Sequence, residues 1–574
     1  MKRNATSLRA RRVLRTVGAA VPSVCVMVGA LTLADCGGSS NSSSSSSATS
    51  KNYTVGGTIS GLTVGSVVLA NGTQTVTVSA NASTWTFPNV FDAGSNYAVT
   101  IKTQPTQELC AITSNGSGTD TGNVGNVTVV CGFGQWTWKA GLNTVNGSGV
   151  YGTQGTAAAS NVPGARYSAN SWTDSSGNFW LFGGVGYDAS AATGYLNDLW
   201  HYSRSTGEWT WISGGNGDNT SGSYGTQGTA SASNMPGARD SACSWIDASG
   251  NLWLFGGYGY DSVGIAAGYL NDLWQYSPNT GQWTWVSGAS TANAKGVYGT
   301  EGTAAANNVP GARKAANAWI DSSGDLWLFG GSGNDSTGTT GNLNDLWRYS
   351  PKTGQWTWVN GSDHGNAGGT YGTEGTAAAS NVPGARYAAS SWIDSTGNLW
   401  LFGGYGYDST SSSGKLNDLW RFDPSTAEWT WINGEDVGNG AGFYGTLGTA
   451  AAGNVPGARQ GANTWIDSSG NLWLFGGIGF DSIGSVGSLD DLWLYDPSAA
   501  EWKWVSGANR NDIGGLYGTE GTASAVDAPG GRDSISSWID TSGDLWLFGG
   551  NGYDSAGNVG YLNDLWQYNP SSGT

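Results

Sequence analysis

Arginines and carboxylates recur at fixed spacing along this 574-residue chain, and they are its most obvious candidates for chemistry. Arg166, Arg239, Arg313, Arg386, Arg459 and Arg532 each close a Pro-Gly-x-Arg phrase, and successive phrases lie about 73 residues apart. A guanidinium fork can hold a carboxylate or a loop carbonyl through paired hydrogen bonds. Further along each repeat stand Tyr187-Asp188, Tyr260-Asp261, Asn334-Asp335, Tyr407-Asp408, Phe480-Asp481 and Tyr553-Asp554. Tyr beside Asp suits a sugar, offering an apolar ring with a polar tip and a strong acceptor. The expected ligand-binding set is therefore the six arginines with Tyr187, Tyr260, Tyr407, Tyr553, Asp188, Asp261, Asp408 and Asp554. A loop-anchoring salt bridge would show the same six-fold repetition, so both readings stand at this point.

Catalysis finds less support. A catalytic site needs one place unlike the others, and the copies are nearly identical. Glu301, Glu374 and Glu520 break the pattern where other copies carry Gln154, Gln227 and Leu447. Glycoside hydrolysis would need two such carboxylates roughly 5–10 Å apart. No catalytic residue, metal site or cofactor is assigned.

Each repeat is written in strands. In the first copy, Asp174-Ser175-Ser176-Gly177 has turn chemistry, and Asn178-Phe179-Trp180-Leu181-Phe182 is a continuous apolar run suited to a strand covered on both faces. Asp198-Leu199-Trp200-His201-Tyr202 gives a third strand, and Trp209-Thr210-Trp211 a fourth with both indoles on one face. Four antiparallel strands per unit, with no apolar stripe of helical period, exclude a helical solenoid and leave propeller blades or a β-solenoid.

The Gly-Gly pair, a Tyr and a Trp at these intervals (Gly183-Gly184, Tyr202, Trp209) resemble the kelch motif from about residue 134 to the end. That resemblance implies an all-β fold, a six-bladed kelch-type β-propeller over residues 133–574. The long loops would gather on one face, with the arginines ringing the channel mouth. Kelch proteins of the galactose oxidase type hold copper with two His and two Tyr; here the two histidines are His201, on a strand, and His364, in a loop, so that site is not expected. Trp136-Thr137-Trp138 precedes the first repeat while the last repeat lacks a W-T-W, so an N-terminal outer strand is expected to close the ring.

The N-terminal part reads differently. Residues 1–35 carry a basic start and an apolar run, the pattern of an export signal. Leu33-Ala34-Asp35-Cys36 resembles a bacterial lipobox with Cys36 acylated, although Asp35 departs from it. Residues 36–51 form a Ser-rich tether, and residues 52–132 a small β-sandwich resembling an immunoglobulin-like domain. Cys110 and Cys131 are expected to pair as a disulfide, and Cys243 to remain a lone thiol.

The export segment holds six basic and one acidic residue; the rest carries 18 basic against 40 acidic. Such a surface excludes nucleic acid as partner. The expectation is an exported monomer, secreted or held at the bacterial cell surface, touching membrane only through a lipid at Cys36. Its long-loop face would bind a glycan or protein ligand; the alternatives are a mainly structural surface protein and a carbohydrate-active enzyme.

Overall fold

The computed structural model describes residues 52–570, apart from 61, 63–64, 104, 106–108, 120, 133–135, 265 and 525–526. The export signal, Cys36 and the serine tract lie outside the described residues.

Residues 52–132 fold as two four-stranded sheets. Val55–Ser60 is central in one, and Ser66–Asn71 and Asn96–Thr103 are central in the other. Alternation along these strands sends Val55, Ile59, Val67, Leu69, Val99, Val127 and Val129 into a shared core. Cys110 and Cys131 face each other in register on antiparallel strands and form the expected disulfide.

From residue 136 onward the chain repeats a four-stranded antiparallel sheet. In the first copy the order is Asn170–Thr173, Phe179–Phe182, Leu199–Ser203, Glu208–Ser213, from the inner strand to the outer. This matches a β-propeller. The chain ahead of the Asp174 turn is extended in two pieces, Arg166–Tyr167 and Asn170–Thr173. Between them Ser168 takes a left-handed φ of 53°, and Ser241, Ala315, Ala388, Gly461 and Ser534 do the same at the equivalent positions. A side-chain-bearing residue held there is strained by roughly 1–2 kcal/mol. Hydrogen bonds offset that cost: the amide of each of these residues donates to the carbonyl of its counterpart in the preceding repeat. Ser241 donates to Ser168, Ala315 to Ser241, Ala388 to Ala315, Gly461 to Ala388, Ser534 to Gly461, and Ser168 back to Ser534. The circuit closes on itself as an annulus of backbone amides.

Indoles seal the repeats to one another. The Phe ending each second strand packs on an outer-strand Trp of the following repeat: Phe182 on Trp283, Phe255 on Trp356, Phe329 on Trp429 and Phe402 on Trp502, at 5.3–5.5 Å between rings. Phe548 meets Trp209 of the first repeat at 5.5 Å. Phe475 meets Trp136, upstream of every repeat, at 5.3 Å. Trp136–Ala140 supplies the expected closing strand, pairing antiparallel with Val559–Tyr568.

Deleting residues 133–140 therefore strips Trp136 from its seat between Phe475 and Tyr568 and leaves a bare sheet edge. Loss of one buried Trp typically costs about 3–5 kcal/mol, so the deletion variant is expected to aggregate or to unfold at much lower denaturant concentration. Size-exclusion chromatography with urea titration measures both; a monomer with an unchanged midpoint would mean that closure does not depend on this strand.

Candidate functional site

The six repeated arginines are buried, between 0 and 1 % exposed. Each forms a two-pronged ion pair with the Asp of the third strand: Arg313 Nη1 and Nη2 donate to Asp345 Oδ1 and Oδ2, both at 2.7 Å. Its remaining donors go to carbonyls, Nε to Gly311 at 2.9 Å and Nη1 also to Gly330 at 2.9 Å. The same Asp345 Oδ2 accepts from the Tyr298 hydroxyl and the Trp347 indole, each within 2.7 Å. Arg166, Arg239, Arg386, Arg459 and Arg532 repeat this knot on Asp198, Asp272, Asp418, Asp491 and Asp564. Burial pulls the Arg313 guanidinium down, but Asp345 outweighs it and holds the group above its ordinary range. Burial, then Asp345, pushes the Tyr298 phenol well up. The expected ligand-reading arginine ring is thus corrected: each guanidinium is buried and held by four internal hydrogen bonds, and the arginines are internal struts.

The loop aspartates are struts as well. Asp188, Asp261, Asp408 and Asp554 are buried, and the Oδ1 of each accepts the backbone amide two residues on. Oδ2 reaches into the neighbouring loop, as from Asp408 to the Gly438 amide at 3.0 Å. Burial opposes ionisation at Asp408, but the Thr410 hydroxyl and several amides outweigh it and hold the carboxyl below the usual range. Local turn geometry consumes these groups, so they too are corrected as ligand contacts. Tyr187, Tyr260, Tyr407 and Tyr553 remain half-buried. Glu301, Glu374 and Glu520 are exposed, one per repeat, on loops bonded to the outer strands at Trp358, Trp431 and Trp138. Cys243 is buried, its thiol donating to the Ala316 carbonyl at 3.4 Å and pushed by burial to about 12.

What differs between repeats gathers elsewhere. The residue after each arginine is Tyr167, Asp240, Lys314, Tyr387, Gln460 and Asp533 in turn. Across the strand from these stand Val185, Tyr258, Ser332, Tyr405, Ile478 and Asn551. One strand further come Tyr195, Tyr269, Asn342, Lys415, Ser488 and Tyr561. These cross-strand triples form a collar next to the amide annulus, on the long-loop side. They touch from repeat to repeat: Tyr167 lies 4.9 Å from Tyr561 and Tyr195 5.9 Å from Tyr258, while Lys314 Nζ sits 5.1 Å over the Tyr258 ring. Electrostatic influence also skips a repeat, from Asp533 to Lys415 and from Tyr269 to Tyr387.

The collar's ionisable groups are perturbed. Burial raises Asp240 to about 6 against the pull of Lys314, and leaves its Oδ1 without a hydrogen-bond partner. Burial likewise raises Asp533 and lowers Lys415. Half-buried tyrosines, two lysines and two high carboxyls can together grip a small polar molecule bearing both hydroxyls and a negative charge. The sequence did carry a signal for this collar, in residues that vary beside phrases that do not.

No protein-family model matches the chain. A 177-residue stretch is 31 % identical to the N-acetylneuraminate epimerases of Escherichia coli O157:H7, E. coli K12 and Shigella flexneri, covering 27 % of this chain and 40 % of each relative. With the repeated four-stranded sheets, this likeness fits a kelch-type β-propeller.

Breaking a buried ion pair from one side costs about 3–5 kcal/mol. Arg313→Ala is thus expected to lose that much in urea unfolding, and Arg313→Lys, which cannot reproduce the fork, most of it. Lys314→Ala, one residue on and half-buried, should cost about 1 kcal/mol or less. Equal losses at the two sites would contradict the division of labour between strut and collar.

Proposed function

We propose that the chain is a six-bladed kelch propeller whose long-loop mouth binds a carboxylated sugar. The observation that carries this reading is that, directly after the constant arginine and beside the amide annulus, the repeats present unlike side chains in Tyr167, Asp240, Lys314, Tyr387, Gln460 and Asp533. Structural duty favours the same side chain in every copy; recognition of an asymmetric molecule requires unlike ones. Lys314 and Lys415 would take the carboxylate, Tyr258 and Tyr405 beneath them would cover an apolar sugar face, and Gln460, Asn342 and Asn551 would bond hydroxyls. The epimerases that resemble the chain act, by name, on N-acetylneuraminate, a sugar acid with this set of groups.

A second reading, catalysis at the same mouth, is favoured by Asp240. Epimerising a sugar requires proton transfer, and a carboxyl raised to about 6 is suited to giving and taking protons near neutrality. The immunoglobulin-like domain would then be a spacer, the serine tract a tether, and Cys36 the lipid-bearing residue of an exported, monomeric protein at the cell surface. That anchoring is tested by Cys36→Ser, which should move the protein from the detergent phase to the soluble fraction.

Titration calorimetry with N-acetylneuraminate and with neutral sugars tests the binding reading. Lys314→Ala and Lys415→Ala are each expected to weaken binding of the acid about 10- to 100-fold, the worth of a partly desolvated charged hydrogen bond, with at most a small shift of the unfolding midpoint. Equal affinity for neutral and acidic sugars would overturn the carboxylate assignment. For the catalytic reading, NMR follows interconversion of sugar forms: Asp240→Asn should retain binding, and the rate should lose its pH limb near 6.

A further inference from the structure

One residue at the ring's seam departs from its repeat in a way the mouth does not explain. In five copies the Pro-Gly phrase is preceded by Asn-Val or Asn-Met, with Asn161, Asn234, Asn308, Asn381 and Asn454 buried. Each of these side-chain amides donates twice, to a Thr carbonyl five residues back and to a Trp carbonyl on the adjoining outer strand. For Asn161 these bonds run to Thr156 and Trp209, both at 3.0 Å; for Asn381 they run to Thr376 and Trp429, at 3.0 and 3.1 Å. The amide thus pins the long loop to the outer strand. In the sixth copy the residue is Asp527, 0 % exposed, and both of its oxygens lack a hydrogen-bond partner.

The backbone frame around Asp527 matches that of the other copies. The Gly521 amide donates to the Trp138 carbonyl at 2.7 Å, as Gly155 does to Trp211 at 2.8 Å. Leu516 and Ala528 bridge as Val150 and Val162 do. By this equivalence the side chain is aimed at the carbonyls of Thr522 and Trp136. An ionised carboxylate has no donor to offer them, and burying it unpaired among carbonyl oxygens is costly. A neutral carboxyl carries one O–H and can restore one of the two bonds.

We propose that Asp527 is a proton-held clasp: its neutral carboxyl pins the last long loop to the closing strand Trp136–Ala140, and ionisation releases that seam. Burial, the dominant cause, pushes this carboxyl up to about 6, and the Gly518 amide opposes it. The ionisable groups on the elements around it are Tyr517 and Glu520 on its own loop, Arg510 and Asp512 where that loop begins, and Lys139 on the closing strand. None of them is among the causes of its shift. The sign follows from the direction of the shift. A carboxyl raised on folding stabilises the fold while it is protonated, and that contribution is lost as pH rises through about 6. The seam is the one junction of the ring where the outer strand comes from the far end of the chain, so loosening falls where closure is least supported by covalent connection.

Asp527→Asn tests the clasp, because it restores the residue found in the other five copies. Hydrogen exchange of amides 136–140 and 516–522 in the full-length protein is compared between pH 5 and pH 8, with intrinsic exchange rates divided out. Wild-type protection at the seam should fall by about 10-fold at pH 8, because only the last unit of the shift lies above pH 5, while Asp527→Asn stays protected at both. The equivalent amides of the other repeats should not change differentially. Parallel pH profiles in wild type and Asp527→Asn would overturn the proposal. So would protection of the wild-type seam at pH 8 by added Ca²⁺ alone, which would assign the site to a cation.

Discussion

Everything in the ring depends on a buried carboxylate that three partners share. In each repeat the third-strand Asp receives the Arg fork, a Tyr hydroxyl from the incoming loop and its own neighbour's indole, while the same Arg also binds the carbonyl at the end of the second strand. An ion pair with no solvent access repays its desolvation only if the geometry is good and the spare donors are satisfied. Here all three nitrogens of Arg313 donate, in four hydrogen bonds, and the Asp oxygens accept four bonds. The knot joins loop, first strand, second strand and third strand, so the long loops, which make up much of each repeat, are fixed to the sheet rather than draped over it. That rigidity lets the residue after each arginine be placed accurately about the axis.

Much of this architecture was legible in the sequence. The four strands of each unit, the closing role of Trp136 and Trp138, and the Cys110–Cys131 pair followed from patterns whose physics is local: alternation, turn residues and a repeat that begins before it can be completed. The function of the arginines was not legible, because a ligand ring and a strut ring leave the same periodic trace. Their partner was also in plain view, since the Asp of L-N-D-L-W recurs just as faithfully as the Arg. What sequence could not supply was that Arg313 and Asp345, 32 residues apart, meet in the interior.

The collar was missed for the opposite reason. Tyr167, Asp240, Lys314, Tyr387, Gln460 and Asp533 look like noise beside a constant phrase, and only the left-handed residue that follows each of them explains why they matter. That kink ends the short first strand, lets the amides of Ser168 and its counterparts close into a ring, and leaves the preceding side chains beside it on the long-loop side. Six copies of one backbone device thus present four kinds of side chain in an irregular order, and symmetry in the scaffold becomes asymmetry at the mouth.

Charge makes that asymmetry consequential. Beyond residue 35 the chain carries 18 basic residues against 40 acidic, and six of those basic groups are sealed in the knots. An anion approaching such a molecule meets repulsion at long range, screened beyond roughly 8 Å at physiological ionic strength. Attraction must therefore come from groups close at hand and partly out of water, where a single charge counts for more. Lys314 and Lys415 meet that requirement: each is half-buried over a tyrosine ring, and burial lowers Lys415 even with Asp533 nearby. Burial raises Asp240 and Asp533 in turn, so the collar's carboxyls ionise less readily than free ones. A mouth tuned in this way can favour an anion on an otherwise acidic protein, which the formal charge of the chain alone would not suggest.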